Sequence, residues 1–360
     1  MRNPLAFDPL PAVRRKVGLT FWIYFALACI FCLGIQISGI SIGRWGIDAG
    51  ALSLAVETGG RFGANSAADF VVAFLTPFLG ASPFPNLLPT VALVFVLCRM
   101  AFHRSLREQA LIFYVSFPLI FQLQFVSKEV IVTLFSVFLF AAFSLIGNWK
   151  LRALLAALAL AVLAAEFRVY YAISLAIAAS VFVSFRPRLF LLLFGTGMLA
   201  AAFIEGIRVP ILLNQYYVHS GVTRDAVSLL PLHFFGYGFV DFIGNYLFNL
   251  TYYLLPIVTN FRVQELYAQL YSIICVFLVL HALRRGDRTL RSVFLGILLT
   301  LPLFVAELGT LIRHTSAIMP IGLMALYFAP AVRPSKAAAR QAARLPLRGA
   351  PKQELQGAPS

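Results

Sequence analysis

The chain has 360 residues, of which 61% are hydrophobic and only 12% are charged. So few charges cannot cover the surface of a water-soluble domain, so the composition excludes that class and predicts an all-α, polytopic membrane protein. The net charge of +15 does not indicate nucleic-acid binding, because the basic residues lie in short clusters between apolar segments.

The basic clusters alternate along the chain with segments that contain most of the acidic residues. Because Lys and Arg accumulate in cytoplasmic loops, this alternation places the clusters and both termini in the cytoplasm. Residues 1–16 are then a cytoplasmic N-terminus, and residues 332–360 form a basic, disordered cytoplasmic tail. The clusters are Arg2 to Lys16, Arg99 to Arg107, Lys150 with Arg152, Arg186 with Arg188, Arg284 to Arg291, and Arg333 to Lys352.

The apolar segments predict about ten transmembrane helices within residues 17–331, since about 20 residues span a bilayer. The outer loops 41–83 and 205–265 contain apolar stretches broken by Pro and Gly, so we expect re-entrant or interfacial helices in both. Gly195 and Gly197 indicate close packing within one predicted helix. The predicted helices cover roughly 17–40, 84–99, 108–126, 129–147, 152–168, 169–185, 188–204, 266–283, 291–309 and 314–331.

Cysteine and histidine usage indicates neither a metal nor a cofactor site. Cys29, Cys32, Cys98 and Cys275 all lie in apolar runs, and we interpret them as packing residues. The histidines are scattered without the spacing of metal ligands. We therefore predict no metal and no cofactor.

Three tight hairpins on the predicted outer side combine basic and acidic residues. Their sequences are VSKE, EFRVYY and ELGTLIRH. From Ala153 to Ala165 there are only 13 apolar residues, which make about 20 Å of helix against about 30 Å of hydrocarbon. The charges after such a helix lie at or below the membrane boundary, and we expect the three hairpins to converge on one polar recess. The charged residues are Lys128, Glu129, Glu166, Arg168, Glu307 and Arg313.

A recess of this composition is suited to binding anionic groups and moving protons, because guanidinium groups form paired hydrogen bonds with phosphate. The structural alternative is that each joint caps two helices and pairs its charges internally. Tyr170 and Tyr171, beside Arg168, either stack on a sugar or line a lipid groove, or else anchor the helix at the interface.

The first outer loop supplies a candidate acid–base group. Asp48 follows the first predicted helix closely, and Arg44 lies one turn before it. A carboxylate held at the end of a rigid helix and facing the recess is placed to take the proton of a nucleophilic hydroxyl. Asp48 is equally suited to cap a short helix over residues 49–58, and the two roles are compatible.

Five motifs follow one another along the chain: DAGALSLAVETGGRFG, CRMAFHRS, SKE, ALLAALALAVLAAEFRVYYAISLAIA and LIRHTSAIMPIGLMALYF. In this order they resemble the layout of the GT-C superfamily of polyprenyl-phosphate-dependent glycosyltransferases. The SKE hairpin and the RH joint also resemble the Wzy-type membrane polymerases of exopolysaccharides and O-antigens.

The resemblance implies a GT-C-like fold with an active site that faces the periplasm or exterior. It implies sugar transfer from an undecaprenyl-(di)phosphate-linked donor to an acceptor saccharide, in exopolysaccharide, O-antigen or cell-envelope glycan synthesis. By this likeness Asp48 is the base, with Glu129 or Glu307 as alternatives. Arg168 and Arg313 contact the carrier phosphates.

Lys128 and His314 complete the predicted phosphate-binding set. The expected partners are the lipid-linked donor, the acceptor saccharide, membrane lipid and polysaccharide assembly or export proteins, with no nucleic acid. One alternative is a transporter or flippase of lipid-linked saccharide, although transporters place their polar groups near the bilayer midplane on broken helices. Another is a noncatalytic assembly subunit.

Overall fold

The structure is a computed structural model, and the residues it describes are 18–37, 86–123, 129–167, 170–183, 187–220, 234–254, 263–304 and 308–329. Every regular element in these ranges is a helix, which confirms the all-α prediction. The helices are α1 Leu19–Ile37, α2 Leu87–Ala101, α3 Leu106–Gln122, α4 Glu129–Leu145, α5 Trp149–Val162, α6 Tyr170–Val183, α7 Pro187–Phe203, α8 Glu205–Ser220, α9 Phe239–Leu254, α10 Val263–Arg285, α11 Arg288–Phe304 and α12 Leu308–Tyr327.

Polar side chains define several of the helix starts. Ser105 forms a capping box with Glu108 at the start of α3, so that each side chain accepts from the other residue's backbone N–H. Asn148 caps α5 by accepting from the amide of Lys150 at 2.9 Å. Asp287 accepts from the first-turn amides of α11 in the same way.

Helices α6 and α11 form the closest helix pair of the bundle. Gly296 of α11 allows this approach, because an added Cβ would lie 2.4 Å from the Ser174 carbonyl oxygen and 2.8 Å from the Ala178 Cβ. Next to this contact, the Ser174 hydroxyl donates to Thr300 Oγ1 at 3.0 Å across the pair. The small residue therefore brings the two backbones together, and the hydroxyl pair aligns them.

Helices α2, α3, α4 and α12 form a second packed group. Helix α12 contacts the other three, and α2 also packs on both α3 and α4. Residues 315–326 of α12 are all buried, which makes this helix the centre of the group. Helix α1 packs on the outside of α2, where the Phe21 ring meets the rings of Phe95 and Phe102 edge to face.

The carboxyl ends of four helices are capped by arginines. Each guanidinium donates to carbonyl oxygens of a terminal turn, which has no partners within its own helix. The donors and acceptors are Arg104 to Met100 of α2 at 3.0 Å, Arg152 to Phe143 of α4 at 2.8 Å, Arg288 to Phe182 of α6 at 2.8 Å, and Arg291 to Leu283 of α10 at 2.8 Å. We call this end of the bundle the arginine end.

Most helix ends agree with the sequence predictions to within a few residues, and the largest shift is the start of α12, which is Leu308 instead of residue 314. The predicted outer loop 205–265 contains α8, α9 and the start of α10. The predicted helix 152–168 begins earlier, at Trp149, and ends in a π-helical turn over Leu163–Phe167. An added Cβ at Gly195 or Gly197 would meet no described atom within 4 Å, so the predicted close packing at these glycines is wrong for the described residues.

No single helix among the described residues is both long and apolar enough to cross a membrane by itself. One pair, Leu189–Phe203 with Glu205–Leu213, reaches that length and apolarity together, across an 83° bend.

Candidate functional site

Four polar side chains lie at the end of the second helix group that is opposite the arginine end. They come from the residue before α2, the last residue of α3, the first residue of α4 and the second turn of α12: Asn86, Gln122, Glu129 and His314. Two contacts across helices are formed at this end. Asn86 Nδ2 donates to the Leu123 carbonyl oxygen at 2.9 Å, and His314 Nδ1 lies 3.7 Å from Glu129 Oε1. We call these four residues the polar end.

The centre of the polar end is the pair formed by Glu129 and His314. The Glu129 side chain is only 3% exposed and that of His314 14%, so water screens their interaction poorly. Glu129 is the first residue of α4, where the partial positive charge of a helix N-terminus favours a carboxylate. Thr133 donates to the Glu129 backbone carbonyl at 2.9 Å. The carboxylate is therefore held on a regular helix rather than on a loop.

This arrangement has the parts of an acid–base site. A buried carboxylate that faces an imidazole can accept a proton, orient the ring and balance its charge when the ring is protonated. The Nδ1 to Oε1 distance of 3.7 Å is longer than a hydrogen bond. The pair is thus an electrostatic contact that a small closure would convert into a hydrogen bond.

Gln122 adds a neutral polar group to the same end. Its side chain is 4% exposed, and neither its Oε1 nor its Nε2 has a hydrogen-bond partner. Buried amide groups are normally hydrogen-bonded, so this side chain is an exception.

The two predicted tyrosines lie elsewhere in the bundle. Tyr171 is buried in the hydrophobic core, and Tyr170 is half-buried, with its ring stacked on Phe304 at 5.1 Å between centroids. Both start α6, which packs on α5, α7 and α11, whereas α11 also packs on α12. The tyrosines therefore contact the core and Phe304 of α11.

The predicted convergence of the three hairpins is not tested by the described residues. Arg44, Asp48, Lys128, Arg168 and Glu307 lie outside them. For two further predicted residues, the backbone is helical and the side chains lie outside the described part: Glu166 and Arg313. Of the predicted charged set, the structure thus brings together Glu129 and His314.

Sequence reasoning did not pair these two residues, and it did not select Gln122 or Asn86. It paired Glu129 with its neighbour Lys128, because only adjacent residues are known to be close before folding. Nothing in the sequence distinguished Gln122, because a second glutamine, Gln124, follows two residues later in the same run.

A separate set of polar contacts supports the carboxyl end of α11, whose last turn contains Pro302. Side chains from α8 and α9 donate to carbonyl oxygens there, and those of Pro302 and Leu303 lie in the last turn, where no amide of the helix reaches them. The donors and acceptors are Tyr246 to Leu299 at 3.1 Å, Asn249 to Pro302 at 3.0 Å and Gln215 to Leu303 at 2.9 Å. These contacts explain the buried Gln215 and Asn249 as support for the end of α11.

Among the described residues, no group of three or more His, Cys, Asp or Glu side chains comes together in a way that would bind a metal ion. The four cysteines have free thiols, and Cys32, Cys98 and Cys275 are buried.

No protein-family model, curated protein or solved structure matches this chain.

Proposed function

We propose that this chain is a polytopic membrane protein of the bacterial inner membrane. The outer faces of several helices support this proposal, because large apolar side chains point away from the bundle. Leu192 of α7 is 65% exposed and Ile30 of α1 is 68% exposed, and both helices expose further residues of this kind. Apolar surface of this extent is costly in water and favourable in lipid.

Within that membrane the chain acts as a glycosyltransferase or polysaccharide polymerase. It transfers sugar from an undecaprenyl-(di)phosphate-linked donor to an acceptor saccharide at the periplasmic face. The observation that carries this proposal is the buried Glu129–His314 pair, placed at the end of the bundle opposite the arginine end. Basic residues mark the cytoplasmic side of membrane proteins, so the polar end faces the periplasm.

In the proposed reaction, a hydroxyl of the acceptor attacks the anomeric carbon of the donor sugar. The bond from that carbon to the carrier oxygen breaks, and its electron pair leaves with the carrier phosphate. Glu129 takes the hydroxyl proton, and His314 orients the carboxylate and balances its charge. Lys128, Arg168 and Arg313 neutralise the phosphate.

Asp48 and Glu307 are alternative bases for the same step. A base at either position would leave Glu129 with the role of holding His314 in place. The separate replacement of all three carboxylates by their amides distinguishes the assignments, because only the base loses the chemical step while donor binding is retained.

The test uses purified protein in proteoliposomes, supplied with lipid-linked saccharide extracted from the source cells. The products are separated by length and identified by mass. Wild-type protein is expected to lengthen the saccharide, and Glu129→Gln to lower the rate by about 100-fold or more.

The matched control is Glu108→Gln, an identical change at the arginine end. Glu108 pairs with Arg104 at 3.1 Å, and glutamine retains the capping box, so this variant keeps the wild-type rate. Failure of wild-type protein to lengthen any donor in the extract would contradict the proposed enzyme.

The bend between α7 and α8 favours a second candidate, a transporter or flippase of lipid-linked saccharide. The two helices meet at an 83° angle, and Arg208 donates to the Ala202 carbonyl at 2.7 Å across the break. Broken helices of this kind line the substrate paths of transporters. In the same vesicles, movement of the saccharide headgroup across the bilayer without lengthening would favour this candidate.

A further inference from the structure

Gln122 differs from the other buried amide side chains described above. Asn86, Asn249 and Gln215 each donate to a backbone carbonyl at 2.9 to 3.0 Å. Gln122 is as deeply placed, yet both of its amide atoms are unpartnered. A buried amide without partners destabilises the folded state, so its presence calls for a group that satisfies it.

The position of Gln122 indicates where that group binds. Gln122 ends α3, and its neighbour Leu123 accepts from Asn86. Helix α4 begins with Glu129 at this same end of the bundle, opposite the arginine end. The unsatisfied amide therefore belongs to the same end of the bundle as the proposed acid–base pair.

The chemistry of the amide indicates which ligand suits it. A glutamine side chain is uncharged and combines an acceptor oxygen with a donor NH2 group. A phosphate oxygen only accepts, so it satisfies Nε2 and leaves Oε1 unpaired. A hydroxyl group both donates and accepts, so neighbouring hydroxyls of one sugar ring satisfy both atoms.

We infer that Gln122 binds the hydroxyl groups of the saccharide at the polar end, and so distinguishes a sugar-bearing carrier from the bare carrier lipid. This inference rests on the proposed function, because it takes a saccharide to be the ligand. It assigns Gln122 to sugar recognition and leaves phosphate binding to the cationic residues. A buried water also donates and accepts, and the experiment separates that case from the saccharide.

The experiment measures lipid binding to the full-length protein by native mass spectrometry. The two probes are undecaprenyl diphosphate and the sugar-bearing carriers extracted from the source cells. Wild-type protein is expected to prefer the sugar-bearing carrier by about tenfold or more. Gln122→Met, which keeps the side-chain length and removes both polar atoms, is expected to lose that preference and to bind the bare carrier as wild-type protein does.

Ser116 provides the matched control on the same helix. It is 0% exposed with an unpartnered Oγ, and it lies about 9 Å along α3 from Gln122. Ser116→Ala therefore removes a buried, unsatisfied group away from the polar end, and is expected to keep the preference. Thermal unfolding of both variants is expected at or above the wild-type temperature, because each loses a buried group without a partner.

If Gln122→Met still prefers the sugar-bearing carrier, the amide holds water and the inference is overturned. Wild-type protein that binds both probes equally would overturn it too. Gln122→Asn shifts the amide by one methylene and gives the same readout if the methionine variant does not fold. Failure of the proposed function looks different: the wild-type preference and its loss in Gln122→Met persist, but the saccharide is never lengthened.

Discussion

Replacing Glu129 and His314 singly and together tests whether the pair at the polar end interacts as the structure indicates. The variants are Glu129→Gln, His314→Gln and the double variant. Glutamine preserves most of each side chain's volume, so the cycle isolates the electrostatic contact between the two groups.

The magnitude follows from the separation and the burial of the two side chains. At the 3.7 Å between Nδ1 and Oε1, two unit charges attract by roughly 4 kcal/mol at an effective dielectric constant of about 20. Desolvation of the two groups offsets part of this attraction, and measured couplings between contacting residues are about 0.5–3 kcal/mol. We expect a coupling of about 1.5 kcal/mol or more at pH 5.

The pH dependence has a definite sign. His314 contributes a charge only when its ring is protonated. The coupling is therefore expected to be smaller at pH 9 than at pH 5.

The assay is equilibrium unfolding of the detergent-solubilised protein, followed by loss of helical circular dichroism, for all four proteins at both pH values. The electrostatic contact would be refuted if the two single-variant effects sum to the double-variant effect within about 0.5 kcal/mol at both pH 5 and pH 9. Activity measured on the same preparations separates a loss of folding from a loss of chemistry.

Two further predictions concern the packing and the turns of the bundle. Gly296→Ala is expected to destabilise the protein by about 1–3 kcal/mol, because the new Cβ meets the Ser174 carbonyl oxygen at 2.4 Å. Gly197 has open space around it, so in the same unfolding assay Gly197→Ala is expected to be neutral or stabilising by up to about 1 kcal/mol. Equal effects of the two alanine substitutions on stability would contradict the close approach of α6 and α11. Burial raises the pKa of the Asp287 carboxyl above its usual 3.8, so its contribution to stability falls as the pH rises through and above that value. Asp287→Asn keeps the helix cap and is expected to remove this decline, whereas Asp287→Ala is expected to lower the free energy of unfolding by about 1 kcal/mol. The measurement is unfolding between pH 4 and 8, and curves of both variants that match wild type would contradict this reading.

The helical class and most of the helix positions could be predicted from composition and the spacing of apolar segments. The prediction was least specific over residues 205–265, where re-entrant or interfacial helices were expected without bounds and the structure has α8, α9 and the start of α10. Its polar residues, such as Gln215 and Asn249, had no role in the prediction. In the bundle these side chains are buried, because they donate to carbonyl oxygens of α11.

The candidate site was predicted only in part. Glu129 and His314 were both selected, because a charged or titratable residue next to a long apolar run is unusual. Their pairing was not predicted, since Glu129 starts α4 and His314 lies in α12, far along the chain. Gln122 was not selected either, because a glutamine at a helix end is unremarkable until its burial and lack of partners are known.

What the sequence determined by itself was local: where apolar segments form helices, and where basic residues cluster between them. These features depend on composition and on neighbours within a few turns, which the chain specifies before it folds. The tertiary structure alone decided which distant residues meet. Only packing brings the guanidinium of Arg288 to the last carbonyls of α6, and the imidazole of His314 to the carboxylate of Glu129.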